Sequence, residues 1–221
     1  MKRGQLLIIG IFLSLSACGR GQTVVEHMTI RTTDATRVLS LITSTEHVLT
    51  RRLAAVNVKN ASVAAVPTGA KSATLTLKLA DIPSAEKAKA ILAEPFRFDL
   101  RIEEPTMKKV PDDTALTWIP TALTGSNLEW VQVIGNSRTG EVAIELQFTK
   151  QGKKILSSVF RGNVGKHLGI FVRDLLVSKL IIEKAPITDR VLISGIPSAK
   201  VAEIFADDVN VGLSVLFTPA P

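Results

Sequence analysis

Hydrophobic and polar residues alternate most regularly near the middle of the chain, and the rest of the sequence is arranged around that region. The segment 141–148 alternates strictly, which places Val142, Ile144, Leu146 and Phe148 on one face. The opposite face of the same segment is polar. The pattern therefore predicts a half-buried strand that needs a hydrophobic layer on one side only.

A helix and a strand hairpin follow this strand. Thr149 can cap the helix, because threonine oxygens accept hydrogen bonds from the first free amides of a helix. The apolar residues after it recur at helical spacing, at Ile155, Leu156, Val159 and Phe160. From Leu168 to Ile182 the pattern predicts two apolar strands hinged at Arg173–Asp174.

The residues before this region predict the order strand, helix, strand, strand, helix, strand. Two helices on one face of a four-stranded antiparallel sheet, the ferredoxin-like arrangement, satisfy that order with short connections. Arg51 and Arg52 of the first helix are expected to hold their charged ends in water. The predicted elements are a strand at 24–31, a helix capped by Thr33 or Asp34, strands at 61–66 and 73–79, a helix starting near Asp81–Ser84, and an aromatic strand at 96–102.

The predicted fold class is α+β, with a ferredoxin-like base subdomain and an inserted α+β head subdomain of mixed or antiparallel sheets backed by helices. The insertion follows from Val211–Phe217, which reads as a last strand that can return to the base sheet. The last helix is expected to begin near Pro197–Ser198. The predicted segments are a signal peptide at 1–17, a tether at 18–22, the base at 23–103, a linker between the lobes at 104–115, the head at 116–209, and a return strand with a tail at 210–221.

The first residues read as an export signal. Lys2 and Arg3 give a charged start, and the apolar run 6–15 is too short to span a bilayer comfortably. Leu15-Ser16-Ala17-Cys18 resembles the lipobox of bacterial lipoproteins, which implies cleavage before Cys18 and a diacylglycerol on its thiol. The alternative is an incidental thiol in an ordinary cleavage region. Because Cys18 is the only cysteine, an intramolecular disulfide is excluded.

Composition and charge narrow the class of protein. The chain has 221 residues, of which 46% are hydrophobic and 21% charged, enough for one large core or two small ones. Its net charge is +7, and removal of Lys2 and Arg3 leaves 25 basic against 20 acidic residues, or +5. An exported basic domain is not expected to meet nucleic acid. The charge favours anionic lipid headgroups, an acidic partner or secreted chains, and an ordinary lysine-rich surface explains it equally well.

Several short motifs resemble functional sites, but simpler structural explanations account for them. Gly162–His167 has the wrong spacing for a phosphate-binding loop and follows its helix, so a glycine helix stop is the better interpretation. Gly135–Gly140 reads as a hairpin loop and not as a nucleophile elbow. The tryptophans Trp118 and Trp130 could bind a ligand at the lobe boundary, although core packing is the commoner role.

Catalytic and metal-binding patterns are not found in the sequence. His27, His47 and His167 lie far apart and outside any ligand spacing. The acidic pairs Asp112–Asp113 and Asp207–Asp208 are adjacent residues, which point in different directions and are expected on solvated surfaces. We therefore expect no enzyme activity, no catalytic residues, no cofactor, no metal and no small-molecule substrate.

A family resemblance rests on motifs in the second half of the chain. Those motifs resemble the head subdomain of the first periplasmic domain of SecD, the membrane subunit that assists protein export at the Sec translocon. The first half is similar to the base subdomain of the same region, more loosely. The motifs are Trp118-Ile119-Pro120, Leu123-Thr124-Gly125-Ser126-Asn127-Leu128, Glu145-Leu146-Gln147-Phe148, Gly152, Asn163-Val164-Gly165-Lys166 and Ile193-Ser194-Gly195.

The resemblance implies a role in handling exported polypeptides, and the chain departs from the family in two ways. SecD carries six membrane helices that serve proton-driven movement, and no such helices are expected here. Arg173–Asp174 and Lys179–Leu180 stand where the family tends to have an Asp-Gly turn and an Ala-Pro step, which puts the hairpin geometry and any inherited partner surface in question.

The resulting hypothesis is a lipid-anchored, non-catalytic envelope protein, held in the membrane through Cys18. Its expected partners are exported polypeptides or Sec translocon components. A scaffold lipoprotein docked onto an envelope assembly unrelated to Sec is the alternative. Gly19 is not the aspartate that retains enterobacterial lipoproteins at the inner membrane, and by that sorting rule the outer membrane is favoured.

Overall fold

The computed structural model describes residues 21–32, 34–105, 116–135, 141–184 and 190–220. Cys18 and the signal segment lie outside these residues. Along the described residues the elements are β1 (Gln22–Ile30), α1 (Arg37–Ala55), β2 (Ser62–Gly69), β3 (Ser72–Leu79), α2 (Ile82–Ala93), β4 (Phe98–Pro105), β5 (Leu116–Thr124), a short 3₁₀ helix (Gly125–Asn127), β6 (Leu128–Gly135), β7 (Val142–Phe148), α3 (Lys150–Gly162), β8 (His167–Val172), β9 (Leu175–Ile181), β10 (Arg190–Ile193), α4 (Ala199–Ser214) and β11 (Val215–Pro219).

The base is a four-stranded antiparallel sheet with the order β11-β1-β3-β2. This order, with α1 after β1 and α2 after β3, is the ferredoxin-like arrangement that the sequence predicts. The buried side chains of α1 and α2 pack with those of the sheet in one core, whose most enclosed members include Met28, Leu41 and Leu75.

The fourth base strand differs from the prediction. Residues 96–102 were expected to supply it, yet β4 pairs with β5 and β8 in a different sheet, where Leu100 lies opposite Ile170. The fourth position belongs to β11, which pairs with β1 and places Phe217 opposite Met28. Alternation shows that one face of a strand is buried but not which sheet the strand joins, and this explains the error.

The head therefore lies between α2 and β11, as an insertion into the base. Its strands form two antiparallel sheets, with the orders β10-β7-β6 and β5-β4-β8-β9. Their inner faces pack with α3 and α4 in a second core that includes Phe148, Leu156 and Leu168. The fold is thus α+β, with a ferredoxin-like base and an inserted α+β head.

The ends of the head depend on strand pairings that the sequence did not reveal. The segment 104–115 was expected to link the lobes, but β4 extends to Pro105, which pairs with Leu116 of β5. The segment 104–115 thus joins the neighbouring antiparallel strands β4 and β5, and its residues 106–115 lie outside the described part. On these pairings we propose that the head begins near Phe98.

Helix α4 belongs to both cores. It begins after Ser198, whose hydroxyl accepts a hydrogen bond from the Val201 amide, as the sequence predicts. Ala202, Ala206 and Val209 lie in the head core, whereas Val211 lies in the base core. The helix continues to Ser214, so Val211–Ser214 are helical and not part of the predicted last strand. Helix α4 therefore contributes side chains to both lobes.

Local signals set the other helix ends. Asp81 accepts from the Ser84 amide at 2.8 Å, and Thr149 accepts from the Gly152 amide at 3.0 Å, so both predicted caps are confirmed. Helix α1 begins later than predicted, at Arg37, and Asp34 instead accepts from the Thr36 amide. Among the described residues no helix is both long and apolar enough to cross a membrane.

Candidate functional site

A concave, mainly apolar surface lies where the two lobes meet. A groove of about 460 Å³ runs between α1 of the base, the β8–β9 turn and α4 of the head. We call it the interlobe groove, and its lining has apolar and charged parts. The apolar lining is Ala55, Val172, Leu175, Val177, Val201, Ile204, Phe205 and Val209, and the charged lining is Arg51, Arg52, Arg173 and Asp208.

Strand β9 exposes several apolar side chains to solvent beside this groove. Leu175 is 70% exposed, Val177 is 45% exposed, and Val201 on the facing helix is 46% exposed. Consecutive apolar residues cannot all face one side of a strand, so part of Leu175-Leu176-Val177 must face outward. Neighbouring exposed apolar residues mark an interaction surface.

The charged end of the groove joins α1 to α4. Arg52 donates a hydrogen bond to Asp208 Oδ1 at 2.9 Å, and Arg51 lies 3.7 Å from Asp207 Oδ2 and 3.6 Å from Asp208 Oδ2. Ser44 also donates to Asp207 Oδ1 at 2.7 Å. Two expectations were therefore wrong, because the arginine head groups do not lie free in water and the aspartates are not a solvated pair.

Burial affects the electrostatics of this cluster. It lowers the pKa of Arg52, and the nearby charge of Arg173 lowers it further, whereas the hydrogen bond to Asp208 opposes the change. Buried N–H donors of Arg51, Arg52 and Arg173, including all three Nε atoms, have no hydrogen-bond acceptor within the described part of the chain. The charges of Arg51 and Arg173 are nevertheless compensated, because Asp207 and Asp208 lie beside Arg51 and Glu94 lies 3.9 Å from Arg173 Nε.

The β8–β9 turn is built from two non-glycine residues in the left-handed region, Arg173 with φ 50° and Asp174 with φ 63°. The predicted hairpin hinge is therefore confirmed, with the turn geometry that usually takes Asn-Gly or Asp-Gly. Asp174 is held by hydrogen bonds from Arg97 at 3.1 Å and Arg101 at 2.6 Å. The Arg101 hydrogen bond is the main cause of the lowered pKa of Asp174.

The outer face of the same sheet carries a second cluster. Glu103 accepts from Lys179 Nζ at 2.6 Å and lies 2.5 Å from His167 Nδ1. The Lys179 hydrogen bond is the main cause of the lowered pKa of Glu103. Lys179 also lies 5.7 Å from the Trp118 ring centroid. These contacts tie together β4, β5, β8 and β9, and we assign them a structural role.

The two tryptophans and the Gly162–His167 segment have structural roles. Trp118 packs edge-on to Phe171 at 5.4 Å, and Trp130 packs against the base core with Arg37 over its ring at 4.6 Å. The glycine helix stop is confirmed, because α3 ends at Gly162 and Gly165 has φ 84°.

The three histidines that were considered as metal ligands lie in different elements of the structure. His27 lies in β1, His47 lies 3.9 Å from Asp207, and His167 contacts Glu103. No group of three or more potential metal ligands occurs in the described segments. Asp112–Asp113 and residues 136–140 of the Gly135–Gly140 loop lie outside them.

Comparison with known proteins agrees with the topology. Residues 105–212 match the family model described as SecDF, P1 head subdomain. The structure resembles the crystal structure of SecDF, a translocon-associated membrane protein from Thermus thermophilus, with a TM-score of 0.56 at 19% identity over 90% of this chain. The chain contains a SecD-like first periplasmic domain.

A second solved structure is less similar to this chain. A solved structure of a membrane component SecDF that enhances protein export has 18% identity and a TM-score of 0.46, covering 90% of this chain and 99% of that one. The chain spans only 30% of the Thermus SecDF chain. No curated protein sequence matches it.

Sequence reasoning missed the interlobe groove. Its parts come from α1, β9 and α4, which are distant in the chain. The available signals were two adjacent charge pairs, Arg51–Arg52 and Asp207–Asp208, and the apolar run 175–177. Each has an ordinary explanation alone, and only the folded chain brings them together.

Proposed function

We propose that this chain is a lipid-anchored, non-catalytic protein of the bacterial cell envelope that binds exported polypeptides or Sec translocon components. Its similarity to the SecDF P1 head suggests a role in protein export. The observation that carries the proposal is the interlobe groove, an exposed apolar surface inside a SecD-like domain. Such surfaces are typical of sites that bind other chains.

The anchor in this proposal is Cys18, through a diacylglycerol on its thiol and an acylated amino terminus. More than one acyl chain is needed for stable membrane attachment. The SecD-like domain would then face the periplasm from either membrane, with the outer membrane favoured by Gly19. Intact-mass measurement of the membrane fraction tests this directly, because Cys18→Ser should remove the acyl mass and release the protein.

Photocrosslinking in living cells tests the binding role. A crosslinking residue at Val201, on the rim of the groove, should capture secretory chains or Sec components. The matched control is Ile82, which is 63% exposed on the base helix α2 and does not line the groove. Recovery of other envelope proteins alone would remove the export role. One stoichiometric partner that is insensitive to export inhibitors would support a scaffold instead.

A further inference from the structure

The sheets of this protein end in six edge strands within the described residues, and five of them are protected. In β2 the edge amide of Ala65 donates to Glu46 Oε1 of α1 at 2.6 Å. In β6 the Asn210 side chain accepts from the Val131 amide at 2.9 Å and donates to its carbonyl at 2.8 Å. Such side chains take the place of a neighbouring strand.

The other protected edges use composition and length. Strands β5 and β11 contain Pro120 and Pro219, which have no N–H to donate. Strand β10 has four residues within the described segment 190–220. Prolines and short strands are common ways to prevent unwanted strand pairing.

Strand β9 is longer than β10 and contains no proline. It has seven residues, pairs only with β8 among the described strands, and carries one irregularity, a β-bulge in which Val177 is the extra residue between Leu176 and Ser178. Lys179, its one charged residue, does not guard the edge, because its ammonium group reaches across the sheet to Glu103 on β4. The exposed side chains along β9 are mainly apolar: Leu175, Leu176, Val177 and Ile181.

We propose that the free edge of β9 receives an extended segment of an exported polypeptide as an additional strand, with its apolar side chains in the interlobe groove. This inference rests on the proposed function and specifies how the chain is held. Main-chain hydrogen bonds would supply affinity that does not depend on sequence, and the groove would select apolar side chains. Substrates with alternating apolar residues are therefore preferred.

The groove and the edge together favour a peptide strand. Leu175 and Val177 belong both to β9 and to the groove lining, so a chain paired with the edge lies next to the groove. The main chain of an extended peptide is uncharged, which suits a groove whose Arg51 and Arg52 already pair with Asp207 and Asp208.

A second copy of this chain is a poorer fit to the same surface. Its β8–β9 turn would bring a second Arg173 to a groove that already contains three arginines. The extended apolar peptide brings no such charge. The oligomeric state in solution distinguishes these two occupants.

Peptide binding to the full chain in detergent tests the proposal. The probe is a labelled peptide of about ten residues that alternates valine and threonine. Its partner probe has the same sequence with N-methyl groups on the amides of one edge, which removes donors and keeps the side chains. We expect the methylated peptide to bind about tenfold more weakly, because strand hydrogen bonds are lost. Equal binding of the two peptides would overturn the proposal.

A pair of lysine variants locates the site. Val177→Lys places a charge on the β9 edge, and Val66→Lys places one on β2, where valine is 61% exposed. Only Val177→Lys should lose peptide binding, by about tenfold. Amide hydrogen exchange should slow at 175–181 and not at 62–69 when the peptide binds. If Val177→Lys does not fold, the N-methylated peptide and the amide hydrogen exchange of the wild type still test strand addition.

The outcomes separate this inference from the proposed function. Binding that is unaffected by N-methylation, together with crosslinking of secretory chains at Val201, would reject strand addition and keep the export role. A peptide-free dimer that Val177→Lys converts to a monomer would assign the edge to a second copy. A failure of the peptide to bind would overturn strand addition, and a failure to crosslink secretory chains or Sec components would remove the export role.

Discussion

The base and the head are built alike, as antiparallel sheets backed by helices, but they treat their sheet edges differently. The base protects both edges of its sheet, one with Glu46 and one with a strand that contains Pro219. The head protects β6 with Asn210 and leaves β9 open. Since the same chain has several ways to protect an edge, the open edge of β9 is a local feature and not a general weakness of the sheets.

The variant with the largest expected effect tests how tightly the head is packed around α3. A Cβ atom at Gly152 would lie 2.3 Å from the backbone oxygen of Asn127, so α3 cannot keep its position against the 3₁₀ helix. Gly152→Ala should lower the free energy of unfolding by about 3 kcal/mol, measured by chemical denaturation.

Gly162→Ala is the matched control, because the space around the last residue of the same helix is free within 4 Å. It should unfold like the wild type. Equal losses in the two variants would mean that helix composition, and not the contact with Asn127, causes the effect.

The next effect tests the protection of the β6 edge. Asn210 is 5% exposed, and Asn210→Leu would leave the buried amide and carbonyl of Val131 without partners. We expect a loss of about 2 kcal/mol in the free energy of unfolding. Asn163→Leu is the control, because the Asn163 side chain donates a hydrogen bond only within the end of α3, to the Val159 carbonyl. A smaller loss for Asn210→Leu than for Asn163→Leu would show that β6 needs no such protection.

A third prediction tests the contact between the lobes. Asp208→Ala removes the acceptor of Arg52, whose side chain is only 16% exposed, and should cost about 1.5 kcal/mol of unfolding free energy. Glu203→Gln on the same helix should change little, since its pair with Lys200 is exposed. No difference between these variants would mean that the Arg52–Asp208 contact contributes nothing to holding α1 against α4.

The smallest expected effect is a change in how the unfolding temperature depends on pH. It comes from Glu103 on the outer face of the head sheet. The pKa of Glu103 in the folded chain lies below its ordinary value of 4.5, chiefly through Lys179. Its stabilisation is therefore complete above pH 4.5 and is lost as the pH falls through the folded-state pKa. The unfolding temperature of Glu103→Gln should fall less steeply with acid than that of the wild type. Glu104→Gln, at the exposed pair with Lys166, should follow the wild type.

The sequence predicted local structure well because its signals are local. Alternation located β7, and the side chains of Asp81, Thr149 and Ser198 marked helix starts that the structure confirms. The family resemblance supplied the head and its relation to SecD, which the match over residues 105–212 supports. Periodicity alone would not have identified that family.

Sheet membership and the groove were harder to predict because they depend on pairing between distant residues. Phe98–Pro105 has an apolar face suitable for either core, so its pattern could not assign it to the head. The Arg52–Asp208 contact joins residues 156 positions apart, and neither helix signals the other. The open edge of β9 also becomes visible only when every other edge strand has been placed.

The position of β11 determines when the base can be completed. Strand β1 lies between β3 and β11, so one side of β1 has no partner until residues 215–219 are in place. The whole head must be synthesised before that can happen, because it lies between α2 and β11. A ribosome that stalls late, or a protease that trims the last strand, would therefore damage the lobe that is made first.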